Sequence, residues 1–169
     1  MAKTVTLNFK SKELLYDIKN IAYVESDVAQ AKTEHDKHQI ADIIEDGNID
    51  RVTRMLNLAF AECVEYLYPY SKSEITEGKT TDDTLEPQEI YTLQIKVPDS
   101  FSATTLNLVE SYIHEYMIYK VLSDWMHITN LNNQSSWQNW QEKAENLRYN
   151  IQTCLNARCN RVRRTLSPF

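Results

Sequence analysis

Apolar residues recur at helical spacing from Ser102 to Ile128, a stretch of 27 residues that contains neither glycine nor proline. Tyrosines and further aliphatic residues fill the neighbouring faces, so the apolar surface is wider than one stripe. A helix of this kind is covered on several sides, and the pattern therefore predicts the central helix of the fold. One face is formed by Leu106, Val109, Ile113, Met117, Val121, Trp125 and Ile128.

A polar stretch follows from Thr129 to Asn133, and such residues favour a turn over the interior of a helix. Beyond it, apolar positions alternate at spacings of three and four and define a second helix with a single narrow seam. A short turn between two helices of similar length predicts a long antiparallel helical hairpin. The seam consists of Trp137, Trp140, Ala144, Leu147, Ile151, Leu155 and Arg158.

Strict alternation of apolar and polar residues predicts two strands, Thr4 to Lys10 and Tyr91 to Val97. We expect them to pair with each other or with a neighbouring subunit, because each strand otherwise leaves unpaired edges. Two further helices are predicted between the strands, one beginning at Ser11 and one running from Ile49 to about Tyr68. The polar stretch from Glu25 to Lys37 leaves open whether the first of these helices continues.

The predicted layout is therefore four helices with two strands. In fold class this is a mainly α protein, a helical bundle with a long antiparallel C-terminal helical hairpin and one or two short β-strands. We assign residues 1–155 to one helical domain and residues 156–169 to a basic C-terminal arm. The segment from Ser71 to Glu89 holds few apolar residues, so we expect a mobile loop there. An ordinary solvated loop and a contact that orders only in an assembly both fit this segment.

Composition narrows the class of protein. The chain carries a net charge of −6, which argues against a general nucleic-acid binder. Three cysteines without a C-x-x-C pair fit a reducing compartment, and no apolar run is long enough to cross a membrane. The first ten residues lack the apolar run of a signal peptide, so we expect the chain to fold in a cytosol.

The sequence offers little recognisable chemistry. His35 and His38 lie three residues apart, a spacing that can place two metal ligands on one helix face, but no second ligand pair accompanies them. His114 is expected to be a hydrogen-bonded helix residue. His127 lies near the C-terminus of its helix, where we expect it to interact favourably with the helix dipole and the exposed carbonyls. With only two glycines the chain cannot form a glycine-rich phosphate loop. We therefore expect a protein that is not an enzyme and that needs no metal or cofactor.

Charge is distributed unevenly along the chain. Residues 156–169 contain four arginines and no acidic residue, and removing these positive charges from the net −6 leaves the preceding 155 residues at −10. Such an arm could be a solubilising tail, could dock onto an acidic neighbouring subunit or partner, or could contact nucleic-acid phosphates. Its arginines are Arg158, Arg161, Arg163 and Arg164, and its apolar anchors are Leu166 and Phe169.

From Ile49 onwards the chain resembles the head–tail connector (adaptor) proteins of tailed bacteriophages and prophages. The resemblance rests on the helix RMLNLAFAECVEYLYPY, a polar loop, the long aromatic-rich helix that follows Pro98, and a polar helix ending in a basic tail. It implies a homo-oligomeric ring, commonly twelve-fold, beneath the portal protein, with DNA passing through without specific binding. Arg158, Arg161, Arg163, Arg164 and Phe169 match the family's C-terminal segment that docks onto the portal. The strand and helix in residues 1 to about 45 exceed the smallest members of the family.

The resemblance thus predicts a structural virion protein at the head–tail junction, assembled in the cytoplasm of a bacterial host. Its partners would be further copies of itself, the portal protein and tail or neck proteins, with no membrane involved. A cytosolic helical module that binds one protein partner, and a neighbouring tail-completion protein, are the alternatives. A small metal enzyme using His35 and His38 is the third class of function that the sequence allows.

Overall fold

The computed structural model describes residues 2–28, 34–74, 78, 86–99, 101–129 and 134–155. The described residues form two strands, five α-helices and one short 3₁₀ helix, so the predicted mainly α class is confirmed. In chain order they are β1 (Ala2–Lys10), α1 (Ser11–Val28), α2 (Glu34–Ala41), the 3₁₀ helix (Asp42–Ile44), α3 (Ile49–Tyr66), β2 (Ile90–Pro98), α4 (Ala103–Thr129) and α5 (Gln134–Cys154).

The two strands pair with each other in antiparallel register, with Ala2 opposite Pro98 and Lys10 opposite Ile90. Both are slightly longer than the alternation predicts. Alternate side chains enter the core from one face of this small sheet, while the other face carries polar residues exposed to solvent, as a period of two requires. The buried side chains are Leu7, Phe9, Tyr91, Leu93, Ile95 and Val97.

The outer edge of β1 has no backbone partner among the residues that the structure describes. The backbone N–H of Lys96 donates to the carbonyl of Tyr70 at 2.8 Å, on the side of β2 that faces away from β1. Because backbone groups alternate in direction along an antiparallel strand, the even-numbered residues of β1 point their N–H and C=O groups away from β2. Within the part of the chain that the structure describes, no residue bonds these groups on Thr4, Thr6 or Asn8.

α4 is the centre of the fold and packs against α1, α2, α3 and α5. Its contacts with α5 run in antiparallel order, because His127 near the connection meets Trp137, and Tyr119 further back meets Trp140. Side chains on several faces of α4 are buried, as the width of its apolar pattern predicts. Its fully buried members include Val109, Ile113, Met117, Ile118, Val121, Leu122 and Met126.

The main departure from the predicted layout is α2, a fifth helix in a region that the polar pattern left undecided. α2 and the 3₁₀ helix bury only Ile40 and Ile43, and the indole N–H of Trp125 donates to the Ile40 carbonyl at 3.2 Å. Too few apolar positions recur in so short a helix to give a periodic signal. The helix is therefore stabilised mainly by its contacts with α1 and α4.

The other helices follow their apolar patterns. α1 buries Leu14, Ile18 and Ala22, and α3 begins at Ile49 as predicted but ends at Tyr66, three residues before Pro69. Cys63 is buried and its pKa is raised by loss of solvent contact and by Glu62, so this thiol behaves as a small apolar side chain. Cys159 and Arg158, which was placed on the seam of the last helix, lie outside the described residues.

Two leucines of α4 provide a matched test of its central position. Leu122→Ala should lower the free energy of unfolding by about 2–5 kcal/mol, because Leu122 is fully buried and its loss leaves a cavity. Leu108→Ala makes the same chemical change at a position that is 41% exposed, and should cost less than about 1 kcal/mol. Urea unfolding followed by circular dichroism measures both, and equal losses would contradict the central role of α4.

Candidate functional site

The residues predicted to dock onto a portal lie outside the described part of the chain. Arg158, Arg161, Arg163, Arg164, Leu166 and Phe169 all fall within residues 156–169, so their role stays a prediction. Most of the expected loop from Ser71 to Glu89 is likewise outside the described residues. The described residues of that segment are largely exposed, Ser71 alone being half-buried. The candidate surfaces described below lie on the described residues of the helical body, within residues 2–155.

The histidines of the body have ordinary structural contacts. The His114 ring nitrogen Nε2 lies 2.9 Å from the Asp17 carboxylate, which joins α4 to α1 and confirms the expected hydrogen-bonded role. His35 contacts the Gln39 amide at 3.1 Å on the exposed surface of α2, and His38 is exposed. Among the described residues, no group of three or more histidine, cysteine or acidic side chains could hold a metal ion.

A polar clamp that the periodicity did not predict joins α3 to α4. The buried hydroxyl of Tyr116 donates to Glu62 Oε2 at 2.6 Å and lies 3.3 Å from the Tyr66 hydroxyl, while the two tyrosine rings meet edge to face. Burial, followed by the bond to Glu62, raises the pKa of Tyr116 far above its usual range, so the phenol stays neutral. Glu62 and Tyr66 are four residues apart on one helix face, which is the only local signal of this clamp.

A cleft of about 380 Å³ opens beside this clamp between α4 and α5. Asp124 lines it, and burial raises the pKa of this carboxyl, with Glu62 adding to the effect. Lys120, 3.9 Å away, partly opposes the shift. The cleft is lined chiefly by Tyr116, Lys120, Ser123, Asp124, His127, Trp137 and Gln141.

Ser123 and His127 are the side chains of this cleft that a nucleophilic reaction would need. A nucleophilic hydroxyl needs a base within hydrogen-bond reach, and no described residue bonds the hydroxyl of Ser123. His127 is engaged instead with Trp137, whose ring centroid lies 4.9 Å away in an edge-to-face contact. This contact makes His127 part of the packing between α4 and α5.

The tryptophans of α5 pack against α4. Trp125 is buried, while Trp140 lies half-buried against Tyr119 with a centroid separation of 5.4 Å. The Lys143 ammonium sits 4.1 Å from the centroid of the Trp140 ring, where the face of an indole attracts a cation. These contacts place the aromatic residues at the end of the core between α4 and α5.

Exposed apolar side chains gather on α1. Tyr16, Tyr23, Val24 and Val28, called here the α1 face, are between 59% and 74% exposed. The opposite side of the helix buries Leu14, Ile18 and Ala22. α1 therefore has apolar side chains both in the core and on the surface. Apolar side chains scattered singly on a surface are normal, but four large ones on the exposed side of one helix make that side a candidate interface.

A second apolar surface lies between α3 and α4. This α3–α4 groove has a volume of about 400 Å³, and Leu58 and Ile128 in it are 56% and 42% exposed. Two exposed arginines and the half-buried Asp124 line it, so the groove combines apolar contact area with two positive charges and one negative charge. Its lining consists of Arg51, Arg54, Met55, Leu58, Asp124, His127 and Ile128.

The comparisons with known proteins identify no relative of this chain. Neither models of protein families, nor curated proteins, nor solved structures gave a match. In the described part of the chain, no helix has both the length and the apolar character needed to cross a membrane. Function is therefore inferred from the residues of this chain alone.

The raised pKa of Asp124 predicts how one substitution responds to pH. Because the folded state holds the Asp124 proton more tightly than the unfolded state, stability is lost as pH rises above the ordinary value of 3.8 and through the raised pKa. Asp124→Asn should therefore raise the urea midpoint at pH 7, and the gain should shrink as pH falls towards 3.8.

Glu65→Gln is the matched control, because it removes one negative charge from an exposed position on α3. Unfolding curves recorded at several pH values for both variants and the wild type measure the difference. A gain for Asp124→Asn that does not vary with pH, or one equalled by Glu65→Gln, would show that loss of solvent around Asp124 has no effect on stability.

Proposed function

We propose that this protein is a ring-forming head–tail connector (adaptor) of a tailed bacteriophage or prophage, acting by geometry and without catalysis. In this role it docks on the portal protein through its basic C-terminal arm, joins the capsid vertex to the tail, and lets DNA pass. The observation that carries the proposal is the pair of exposed apolar surfaces, the α1 face and the α3–α4 groove, which involve different helices. Both are available for contacts between subunits.

Two different surfaces on one chain suit a ring. A head-to-tail contact uses one patch of each protomer and a different patch of its neighbour, and repetition of that contact closes when its rotation permits. A two-fold dimer, in contrast, needs a single patch that is complementary to itself. The α1 face is a ridge with tyrosines and the α3–α4 groove is a concave surface with arginines, so each fits the other better than itself.

The distribution of charge supports passage of DNA and docking of the arm. The first 155 residues carry a net −10, and an acidic wall would repel DNA phosphates and keep them from sticking. The four arginines of residues 156–169 supply the opposite charge at one end of the chain. An arm of this composition suits an acidic groove on a partner, since arginine pairs with carboxylates in a bidentate manner.

The first test is the mass of the purified protein in solution, measured by light scattering with and without isolated portal rings. We expect a large closed ring, alone or only on the portal, because the exposed apolar surfaces need a partner to cover them. A fixed monomer or two-fold dimer that ignores portal rings would reject the connector and favour the helical binding module. Binding to tail proteins but not to portal rings would favour a tail-completion protein.

A second test addresses the arm. Replacement of Arg161, Arg163 and Arg164 by glutamate should leave the fold unchanged and abolish co-sedimentation with portal rings, because the arm then repels acidic partners. The corresponding lysine triple variant is the control and should retain part of the binding, since it keeps the charge but loses the bidentate geometry. Undiminished docking of the glutamate variant would show that the arm is not the docking element.

A further inference from the structure

The α1 face has a pattern of charge as well as apolar surface. Lys19, Tyr23 and Asp27 follow one another at steps of four residues, so they lie in a row on the exposed side of α1. Tyr16 and Val24 flank this row. The hydroxyls of Tyr16 and Tyr23 bond no described residue, so both tyrosines present a large apolar ring and an available polar tip.

The exposed row of α3 carries the complementary order. Arg51 and Arg54 come first, Leu58 lies one turn later, and Glu65 lies two turns beyond that. Leu58 is the most exposed apolar side chain of this helix, and it stands at the mouth of the α3–α4 groove together with Ile128. The positive end of this row is therefore its N-terminal end, whereas on α1 the negative residue, Asp27, is at the C-terminal end.

Antiparallel alignment of the two rows brings unlike charges together. When Tyr23 is set against Leu58, Asp27 falls opposite Arg54. Lys19 lies one turn from Tyr23 in the other direction, towards Glu65. Parallel alignment on the same apolar pair instead places Lys19 opposite Arg54 and Asp27 towards Glu65, which sets like charges against each other. Guanidinium groups also stack on tyrosine rings, which adds to the attraction between Arg51 or Arg54 and the α1 face.

One chain cannot make this contact with itself. α1 is joined to α4 through Asp17 and His114, and α3 is joined to α4 through Glu62 and Tyr116. Both helices are thus fixed to α4, and the exposed row of α3 borders the groove that this helix forms with α4. A second copy of the chain, in contrast, presents the matching surface.

We infer that, in the ring of the proposed function, the α1 face of each protomer packs antiparallel onto the α3–α4 groove of the next, with Tyr23 against Leu58 and Asp27 against Arg51 and Arg54. This inference rests on the proposed function for the ring, and it adds which surfaces close it. The contact is head-to-tail, so it leaves one α1 face and one groove unpaired until the ring is complete.

Disulfide trapping tests the contact directly. In a background with Cys154→Ser and Cys159→Ser, the pair Val24→Cys and Leu58→Cys should form intermolecular disulfides on mild oxidation and give a ladder of oligomers on a non-reducing gel. The control pair, Val24→Cys with Tyr149→Cys, places the second thiol at an exposed position on α5, outside the groove. It should give no ladder. Equal ladders from both pairs, or efficient dimers from Val24→Cys alone, would overturn the inference.

Charge exchange gives an independent readout. Asp27→Arg should weaken self-association measured by light scattering by about tenfold or more, because it sets an arginine against Arg51 and Arg54. Adding Arg51→Asp and Arg54→Asp to the same chain should restore association, since the pairing is then reversed. Circular dichroism confirms that each variant is folded. Self-association that Asp27→Arg leaves unchanged would place the contact elsewhere.

The wild-type result separates the two levels of the proposal. If the wild-type protein forms rings but neither the disulfide pair nor the charge exchange behaves as expected, the connector stands and the assigned surfaces are wrong. If the wild-type protein stays monomeric at the highest concentration reached and in the presence of portal rings, the ring itself is wrong, and the inferred contact is rejected with it.

Discussion

Burial of α4 on several sides is the constraint on which the rest of the structure depends. Its buried positions contact α1, α2, α3 and α5, so every other helix is placed by the face of α4 that it covers. A helix this apolar would be insoluble alone, and each neighbour contributes stability mainly by removing part of its surface from water. Polar contacts then fix orientation: Asp17 with His114 sets α1, and Glu62 with Tyr116 sets α3.

Each surrounding helix packs on α4 with one side, and its other side is exposed to solvent. α1 and α3 are amphipathic helices whose buried sides face the core, yet both display large apolar side chains outward, with Tyr23 61% and Leu58 56% exposed. The two-stranded sheet is similar, since no described residue bonds the outer edge of β1 and sheets of two strands are marginal on their own. α1, α3 and β1 thus each present a surface that a further molecule can contact.

The sequence predicts most of the fold where one physical signal dominates. Alternation of apolar and polar residues predicts both strands, because their inner faces are buried and their outer faces are not. The breadth of the apolar pattern predicts that α4 is central. α2 escapes prediction because its position depends on Trp125, some 85 residues away in the chain. The clamp of Glu62 with Tyr116 is equally non-local. For the candidate interface, periodicity locates the buried side of α1 but cannot show what covers Tyr16 and Tyr23.

Net charge limits how such a chain can assemble with copies of itself. A body of −10 repels its neighbours at long range, although salt at physiological strength screens this repulsion beyond about 8 Å. Association then depends on contacts within that distance, where apolar burial and local pairs of opposite charge act together. Arg51 and Arg54 are positive residues in an acidic body, and they lie beside the exposed Leu58. In the ring that we propose, this groove therefore suits self-association better than the acidic surfaces elsewhere, and Asp27 on the incoming helix would fix its direction.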